Sequence, residues 1–391
     1  MRIAFYAPLK SPTHAVPSGD RRVGRLLIEA LERAGHVVEL ASTLRTYEPS
    51  GDTARQASLR EQSAAIAAEL VARWNGAGRD ERPDIWFTYH VYYKAPDWLG
   101  PAIASELGIP YVIAEASFSP KRAGGPWSLG HAAAGEAIRA ASLVICPILD
   151  DVACLEPLVS SRTRVMLLPP FLDSSPYRAA AKGRVARRKK LASELHLDPL
   201  VPWIVVAAMM RMGDKASSYY MLASTLRQLA DIPWQILIAG DGLARSEIEA
   251  AFESAAPGRA RFLGEYRPDE LATLYCMCDL SIWPAVNEAY GMAMLEAQAA
   301  GIPVVSRATR GVPNVVCDGI TGLLAPPGDA AALTELSRKL LVDGSRRRQM
   351  GRAAAHFARG ERSVETAATI LDEALREIHS GSNRYPAAAQ R

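Results

Sequence analysis

Residues 283–306 read WPAVNEAYGMAMLEAQAAGIPVVS, which is the end of one apolar run, a polar loop, an alanine-rich stretch, a glycine and a second apolar run. Short apolar runs are typical of strands that are buried on both faces, and Gly301 stands where a helix between them would end. This stretch therefore predicts a strand, a helix and a second parallel strand, which is the repeating unit of a doubly wound sheet.

The same alternation of short apolar runs and helix-periodic segments, such as Arg21–Arg33, extends in both directions from residues 283–306. The candidate strands of the first half are Arg2–Tyr6, Val37–Ala41, Asp84–Thr88, Tyr111–Ala114, Leu143–Cys146 and Val165–Leu168. Those of the second half are Trp203–Ala208, Trp234–Ala239, Arg261–Leu263, Leu280–Trp283, Pro303–Ser306 and Leu323–Ala325. We therefore predict an α/β protein with two Rossmann-like, doubly wound parallel sheets.

Residues 169–202 separate the two sets of strands. They are rich in proline and contain the basic run Lys182–Lys190, which favours a linker followed by a short helix. We predict a first domain over residues 1–175 and a second domain over residues 176–362. Because ligands bind at the carboxyl ends of parallel strands, we expect the two sheet edges to face each other across one cleft.

Composition and charge exclude several classes of function. The chain has 391 residues, 49% of them hydrophobic, which is enough for two buried cores. With 45 basic and 42 acidic residues it lacks the concentrated positive charge of a nucleic-acid-binding protein. No apolar stretch approaches the roughly 20 residues that span a bilayer. We expect a cytoplasmic protein with reduced cysteines and no nucleic-acid partner.

Two glutamates, Glu288 and Glu296, lie eight residues apart in the stretch of residues 283–306. Glu288 precedes a helix predicted to start at Tyr290, and the free N–H groups of a helix start attract anions such as phosphate. Glu296 lies on a small-residue helix face, where a buried carboxylate needs donors such as two ribose hydroxyls. The alternative is a solvated helix residue at position 296 and a helix N-cap at position 288.

Further motifs surround this glutamate pair. They are GDG at residues 240–242, FLG at residues 262–264 and DGITGLLAPPGD at residues 318–329. Together with Glu288, Glu296 and the GIPV of residues 301–304, they closely resemble family 4 of the retaining glycosyltransferases over most of residues 200–340. The resemblance implies the GT-B fold, a transfer that retains the anomeric configuration, and a nucleotide-diphosphate sugar as co-substrate without a further cofactor.

The resemblance also implies where the donor binds in the second half. Glu288 would hold hydroxyls of the donor sugar and Glu296 those of the ribose. The backbone N–H groups of Gly291, Met292 and Ala293 would face the pyrophosphate. Base recognition in such clefts uses backbone groups, and we expect it near Gly264 and Tyr266.

Arg211 and Lys215 follow the first strand of the second half, where the family has an arginine and a lysine that grip phosphate oxygens. Such cations stabilise the departing diphosphate in place of a divalent metal, and the sequence has no Asp-x-Asp metal motif. Their spacing is shorter than usual in the family, and Ala216 replaces the usual glycine. The alternative is a pair of solvated loop cations.

In the first half, the family has a glycine-bearing loop after its first strand, and this chain has Gly19 and Asp20 in that region. Glycine lets the backbone approach a ligand, and the helix from Arg21 onward points its amino end at the same place. The alternative is an ordinary helix start that is capped by Ser18 or Asp20.

We expect the residues that contact the acceptor at the carboxyl ends of the strands in the first half. His90 follows one candidate strand and could touch the acceptor or the reacting sugar; the alternative is a structural histidine. Glu115 follows the next strand, where relatives commonly read Thr-x-His, and His131 is a third candidate. The run Lys182–Lys190 could meet anionic lipid at the inner membrane face or a phosphorylated acceptor, although a solvated helix explains it as well.

The resemblance predicts a metal-independent retaining glycosyltransferase that uses a UDP- or GDP-sugar. The acceptor would be a hydroxyl-bearing saccharide or lipid-linked glycan. A final helix over residues 363–380 would cross back to the first domain, as in similar two-domain transferases. Two alternatives remain, namely a sugar-nucleotide epimerase or hydrolase of the same fold and a non-catalytic protein that binds sugar nucleotides.

Overall fold

The computed structural model describes residues 1–16 and 18–381. They form two compact units, one of Met1–Pro169 together with the chain from Val364, the other of Pro170–Ser363. Each unit is built on a six-stranded sheet in which every described strand pairing is parallel. The predicted α/β class is therefore confirmed.

The sheet of the first unit has the strand order β2-β1-β3-β4-β5-β6. Its strands are β1 (Arg2–Tyr6), β2 (Val37–Ser42), β3 (Ile85–Val91), β4 (Tyr111–Ala116), β5 (Leu143–Cys146) and β6 (Arg164–Leu167). Its helices are α1 (Gly19–Arg33), α2 (Thr53–Gly76), α3 (Gly100–Leu107), α4 (Ser128–Ala140) and α5 (Leu149–Leu155).

The sheet of the second unit has the strand order β12-β11-β10-β7-β8-β9. Two helices, α6 (Ser175–Ala181) and α7 (Arg184–Leu195), precede it. Its strands are β7 (Trp203–Ala207), β8 (Gln235–Ala239), β9 (Ala260–Gly264), β10 (Leu280–Ile282), β11 (Val304–Arg307) and β12 (Gly322–Ala325). The other helices are α8 (Asp214–Arg227), α9 (Arg245–Ala255), α10 (Pro268–Met277), α11 (Met292–Ala299), α12 (Val312–Val315), α13 (Ala330–Val342) and α14 (Gly344–Arg359).

Two strands of the first sheet run past their predicted ends. Val91 still pairs with Ala116, so His90 and Glu115 lie inside β3 and β4 rather than after them. Both residues have a φ of 65°, which is rare for side-chain-bearing residues. The prediction of their position was wrong by these few residues, because the pairing resumes beyond an irregularity that apolar periodicity does not report.

The segment between the two sheets is more ordered than a linker. Leu172 lies in the core of the second unit, and its N–H donates to the Arg362 carbonyl at 3.0 Å, so this unit begins at Pro170 rather than at residue 176. In α7, Arg184 and Arg188 each donate to the Asp279 carboxylate at 2.8 Å. These two arginines of the basic run are therefore used inside the unit, which disfavours the lipid-binding interpretation of the run.

The last described helix, α15 (Val364–His379), belongs to the first unit. Its apolar face, which includes Leu371 and Leu375, is buried, and it packs on α1. At its outer side, Asp372 lies 3.2 Å from the Nε2 atom of the buried His36.

Candidate functional site

A polar cluster lies at the carboxyl edge of the second sheet, between the strand β10 and the helices α8 and α11. The Nζ atom of Lys215 lies 2.6 Å from Oε2 of Glu288. The indole Nε1 of Trp283 donates to the same oxygen at 3.3 Å, and the Lys215 Nζ lies 5.5 Å from the Trp283 ring centroid. We call Lys215, Trp283 and Glu288 the Glu288 cluster.

The loop that carries Glu288 is held from both sides. Val286 N donates to Ser218 Oγ of α8 at 3.0 Å, and Thr309 Oγ1 donates to the Ala285 carbonyl at 2.9 Å. Ala285 and Asn287 both have positive φ values, of 56° and 54°. Such conformations cost free energy and persist where surrounding contacts enforce them. The position of Glu288 is therefore determined by the fold rather than by its own loop.

Helix α11 starts next to this loop with free backbone donors. Gly291 has a φ of 76° and is its N-cap, without a side-chain cap. The helix therefore begins at Met292, and the predicted start at Tyr290 was wrong because the left-handed residue interrupts it. The N–H groups of Met292 and Ala293 precede the first helical hydrogen bonds, so they are available to an anion.

Glu296 lies in the second turn of α11 and is 3% exposed. The sequence predicted a carboxylate on a helix face of small residues. A carboxylate that is buried to this extent needs hydrogen-bond donors, because burying an unpartnered charge costs free energy. Neighbouring Gln298 is also buried and donates to the Val315 carbonyl at 2.6 Å.

The GDG motif shapes the loop that precedes Lys215. A Cβ atom on Gly240 would lie 2.0 Å from the Ala208 carbonyl oxygen, and one on Gly242 would lie 2.4 Å from that of Met210. The two loops are joined by Met210 N, which donates to the Asp241 carbonyl at 2.8 Å. The glycines thus allow two backbones to touch.

Arg211 stands on this loop with its side chain exposed. Within residues 1–16 and 18–381 its guanidinium donates to the Met209 sulfur at 2.9 Å and forms no ion pair. The structure therefore brings Lys215 to Glu288 but leaves Arg211 outside that cluster.

At the end of β9, Gly264 accepts from Gly240 N at 2.7 Å, and burial raises the pKa of the nearby Tyr266 hydroxyl.

A second polar cluster lies at the carboxyl edge of the first sheet. The Nδ1 atom of His90 is 3.0 Å from Oδ1 of Asp20 and 3.3 Å from Oε1 of Glu115. Burial disfavours the charged imidazole, but the two carboxylates outweigh this effect and raise the pKa of His90. Burial likewise opposes ionisation of Asp20, yet its hydrogen bond to His90 lowers the pKa of this carboxyl group. We call these three residues the His90 cluster.

The other first-half candidates have ordinary structural partners. Ser18 caps α1, with its Oγ accepting from Arg21 N at 3.2 Å, which is the alternative that the sequence left open. Gly19 has open space around it. His131 lies in α4, where Nε2 bonds the Ser119 carbonyl at 2.9 Å and the ring packs on Phe118. The structure thus brings Asp20, His90 and Glu115 together, while His131 holds the loop before α4.

Sequence reasoning missed Trp283 and Ser218 as partners of the glutamate loop. Trp283 was treated as the last residue of a strand, and its distance of five residues from Glu288 was the available signal. Ser218 accepts a hydrogen bond from the Val286 amide, which lies 68 residues away in sequence, so no local pattern could reveal it.

Among the described helices, none is long and apolar enough to cross a membrane.

Comparison with known proteins finds similarity mainly in the second half. Residues 218–357 match the model of the glycosyl transferases group 1. A D-inositol 3-phosphate glycosyltransferase of Salinispora tropica is 33% identical over 229 residues, which are 55% of this chain and 47% of that protein. One of Streptomyces avermitilis is 24% identical and covers 91% of this chain and 83% of its own. The chain spans about half or less of several of these relatives.

Solved structures match nearly the whole chain. Sucrose-phosphate synthase from Thermosynechococcus elongatus has a TM-score of 0.70 at 20% identity and covers 97% of this chain and 99% of its own. HepE of Anabaena, in complex with UDP and glucose, has a TM-score of 0.67 at 18% identity, with coverage of 96% and 100%. These likenesses identify the fold as GT-B. In sequence, residues 218–357 of the chain are similar to the group 1 glycosyl transferases.

Proposed function

We propose that this protein is a metal-independent, retaining glycosyltransferase that moves a sugar from a nucleotide-diphosphate sugar to an acceptor hydroxyl. The observation that carries the proposal is the Glu288 cluster beside the uncapped start of α11. A cation, a carboxylate and free N–H donors within one sheet edge suit a ligand that has both a diphosphate and sugar hydroxyls.

The described contacts suggest how the donor is held. Two donors already occupy Oε2 of Glu288, and within the described residues Oε1 has no hydrogen-bond partner. That oxygen is available to donor-sugar hydroxyls. Lys215 would bridge Glu288 and a phosphate oxygen, while Met292 and Ala293 would donate to the pyrophosphate. Glu296 would accept from the ribose hydroxyls.

The same residues would assist bond breaking. Negative charge grows on the departing diphosphate as the glycosidic bond lengthens, and a fixed cation with helix N–H donors stabilises that charge. The departing phosphate oxygen would take the proton of the acceptor hydroxyl, which enters on the same face of the sugar. We assign Arg211 to the diphosphate as well, and His90 to the acceptor side.

Two printed names guide the choice of donor and acceptor. HepE was solved with UDP and glucose, so UDP-sugars are the first donors to test, with GDP-sugars second. The relatives are named D-inositol 3-phosphate glycosyltransferases, but the Salinispora tropica protein matches only 55% of this chain. We therefore propose to test several classes of acceptor rather than one compound. Saccharides and lipid-linked glycans are both included, and we expect the protein to act in the cytoplasm.

Product analysis tests the proposal. The purified protein is incubated in EDTA with UDP-glucose or GDP-mannose and a panel of saccharide acceptors, and the products are examined by mass spectrometry and NMR. We expect a glycoside with the anomeric configuration of the donor. An epimerised sugar nucleotide, or free sugar formed without an acceptor, would instead establish an epimerase or hydrolase. Binding without any product would establish a non-catalytic sensor.

A further inference from the structure

A ladder of aromatic rings leads away from the His90 cluster along the edge of the first sheet. The ring centroids of His90 and Tyr92 are 5.2 Å apart, those of Tyr92 and Tyr93 5.5 Å, and those of Tyr93 and Trp127 5.6 Å. All three aromatic side chains after His90 are half-buried, so part of each ring faces solvent.

Cations lie over these rings. The Lys94 Nζ is 4.6 Å from the Trp127 centroid, and the Arg122 guanidinium carbon is 5.3 Å from that of Tyr93. Within residues 1–16 and 18–381, neither cation forms an ion pair with a carboxylate, although many arginines elsewhere do. We call Tyr92, Tyr93, Lys94, Arg122 and Trp127 the basic aromatic surface.

The surface is held in place by hydrogen bonds to the backbone around Glu48. Trp127 Nε1 donates to the Glu48 carbonyl at 3.0 Å, and Glu48 N donates to the Lys94 carbonyl at 2.8 Å. A Cβ atom on Gly130 would lie 2.2 Å from the Tyr93 carbonyl oxygen, so α4 packs closely on this turn. The Glu48 carboxylate is itself buried and accepts from Ser50, Gly51 and Asp52 amides, so it does not neutralise Lys94.

We propose that the basic aromatic surface binds a saccharide that carries a phosphate or carboxylate group, and that this saccharide is the acceptor. Aromatic faces pack against the C–H faces of sugar rings. The Lys94 Nζ donates to the Pro49 carbonyl at 3.2 Å, which leaves its charge without a carboxylate partner among the described residues. Lysine and arginine groups of this kind give charge-assisted hydrogen bonds to an anionic substituent. The ladder begins at His90, so a sugar on it reaches the His90 cluster. Two cations on a compact surface suit one small anionic group rather than a nucleic-acid backbone.

That the bound saccharide is the acceptor rests on the proposed function. The test is a binding measurement on the whole chain, which does not require activity. Calorimetric titrations at constant ionic strength compare glucose with glucose 6-phosphate and glucuronate, mannose with mannose 6-phosphate, and inorganic phosphate alone. We expect the anionic sugars to bind at least about tenfold more tightly than their neutral counterparts. Lys94→Gln and Arg122→Gln should each remove most of that difference.

Lys339→Gln, which changes an exposed lysine of α13 in the other unit, is the matched control and should bind as the wild type does. Equal affinity for neutral and anionic sugars, or no binding of any anionic sugar at millimolar concentration, would overturn the proposal. So would phosphate alone, or an oligonucleotide, binding as tightly as glucose 6-phosphate. UDP-glucose binding in the same samples reports separately on the donor site, so failure of one proposal is distinguishable from failure of the other.

Discussion

At the scale of single residues, the second unit places the Lys215–Glu288 ion pair where we propose that the sugar nucleotide binds. Lys215 and Glu288 are 35% and 18% exposed, and they share one carboxylate oxygen with the Trp283 indole. Such a pair orients both side chains before the ligand arrives. A diphosphate beside Lys215 and a hydroxyl beside Glu288 would then add hydrogen bonds without replacing the pair.

A double-mutant cycle tests whether the two residues act as a unit. Lys215→Met and Glu288→Gln should each weaken UDP-sugar binding by about tenfold or more, because charge-assisted hydrogen bonds are lost. The double variant should lose less than the two effects added together, since the residues are in direct contact. Calorimetric titration measures all four proteins, with Lys189→Met as the control. Strictly additive losses would show that the two side chains bind independently.

The His90 cluster gives a pH dependence whose sign follows from the raised pKa. A histidine with a raised folded pKa contributes stability that is complete below its unfolded pKa, about 6.5, and is lost as the pH rises through the folded pKa. The difference in free energy of unfolding between wild type and His90→Gln should therefore shrink as the pH rises above about 6.5 and passes through the raised pKa of His90. Urea unfolding measures it, and the exposed His379→Gln is the control. A difference that grows with pH would contradict the ion pairing.

At the scale of elements, the GDG motif of residues 240–242 allows two backbone loops to lie in close contact. Gly240 and Gly242 have φ values of 141° and 151°, and both lie against carbonyl oxygens of the loop after β7. That loop carries Arg211 and leads into α8 with Lys215. The motif therefore controls the site through the close contact of two loops.

Gly242→Ala should destabilise the second unit by about 2 kcal/mol or more, because the new Cβ meets the Met210 carbonyl and the backbone is strained. Gly258→Ala is the matched control, since Gly258 has a φ of 69° but open space around it. It should cost about 1 kcal/mol from backbone strain alone. Denaturant unfolding compares the two variants, and equal losses would show that the contact between the loops is unimportant.

At the scale of the whole molecule, the two ends of the described chain belong to one unit. Helix α15 packs on α1, and Arg33 of α1 forms an ion pair with Glu365 of α15. The first unit is therefore incomplete until helix α15 has been synthesised. Its stability is coupled to residues that follow the entire second unit in sequence.

Leu371→Ala should lower the stability of the first unit by about 3 kcal/mol, because Leu371 is fully buried in α15 and its truncation leaves a cavity. The exposed Glu373→Ala in the same helix is the control and should change stability little. On our proposal UDP binds the second unit, so calorimetry with and without UDP should shift the unfolding transition of that unit and distinguish it from that of the first. If the transition of the first unit stayed in place, α15 would not be part of it energetically.

The sequence alone determined the two sheets, because apolar runs and glycine stops are local signals. Each of the twelve predicted strands overlaps an observed one, and Glu288, Gly291 and Glu296 could be placed around one helix start. Periodicity carries this information, since burial on both faces requires continuous apolar side chains.

Only the tertiary structure decided which side chains meet. His90 and Glu115 contact because β3 and β4 pair in one register and both residues turn to positive φ. Trp283 and Lys215 both donate to the Glu288 carboxylate. Asp279 forms ion pairs with Arg184 and Arg188. Both sets of contacts arise because separate strand ends and helices converge in space. Such contacts depend on strand register and on non-local packing, which the apolar pattern of a single segment does not encode.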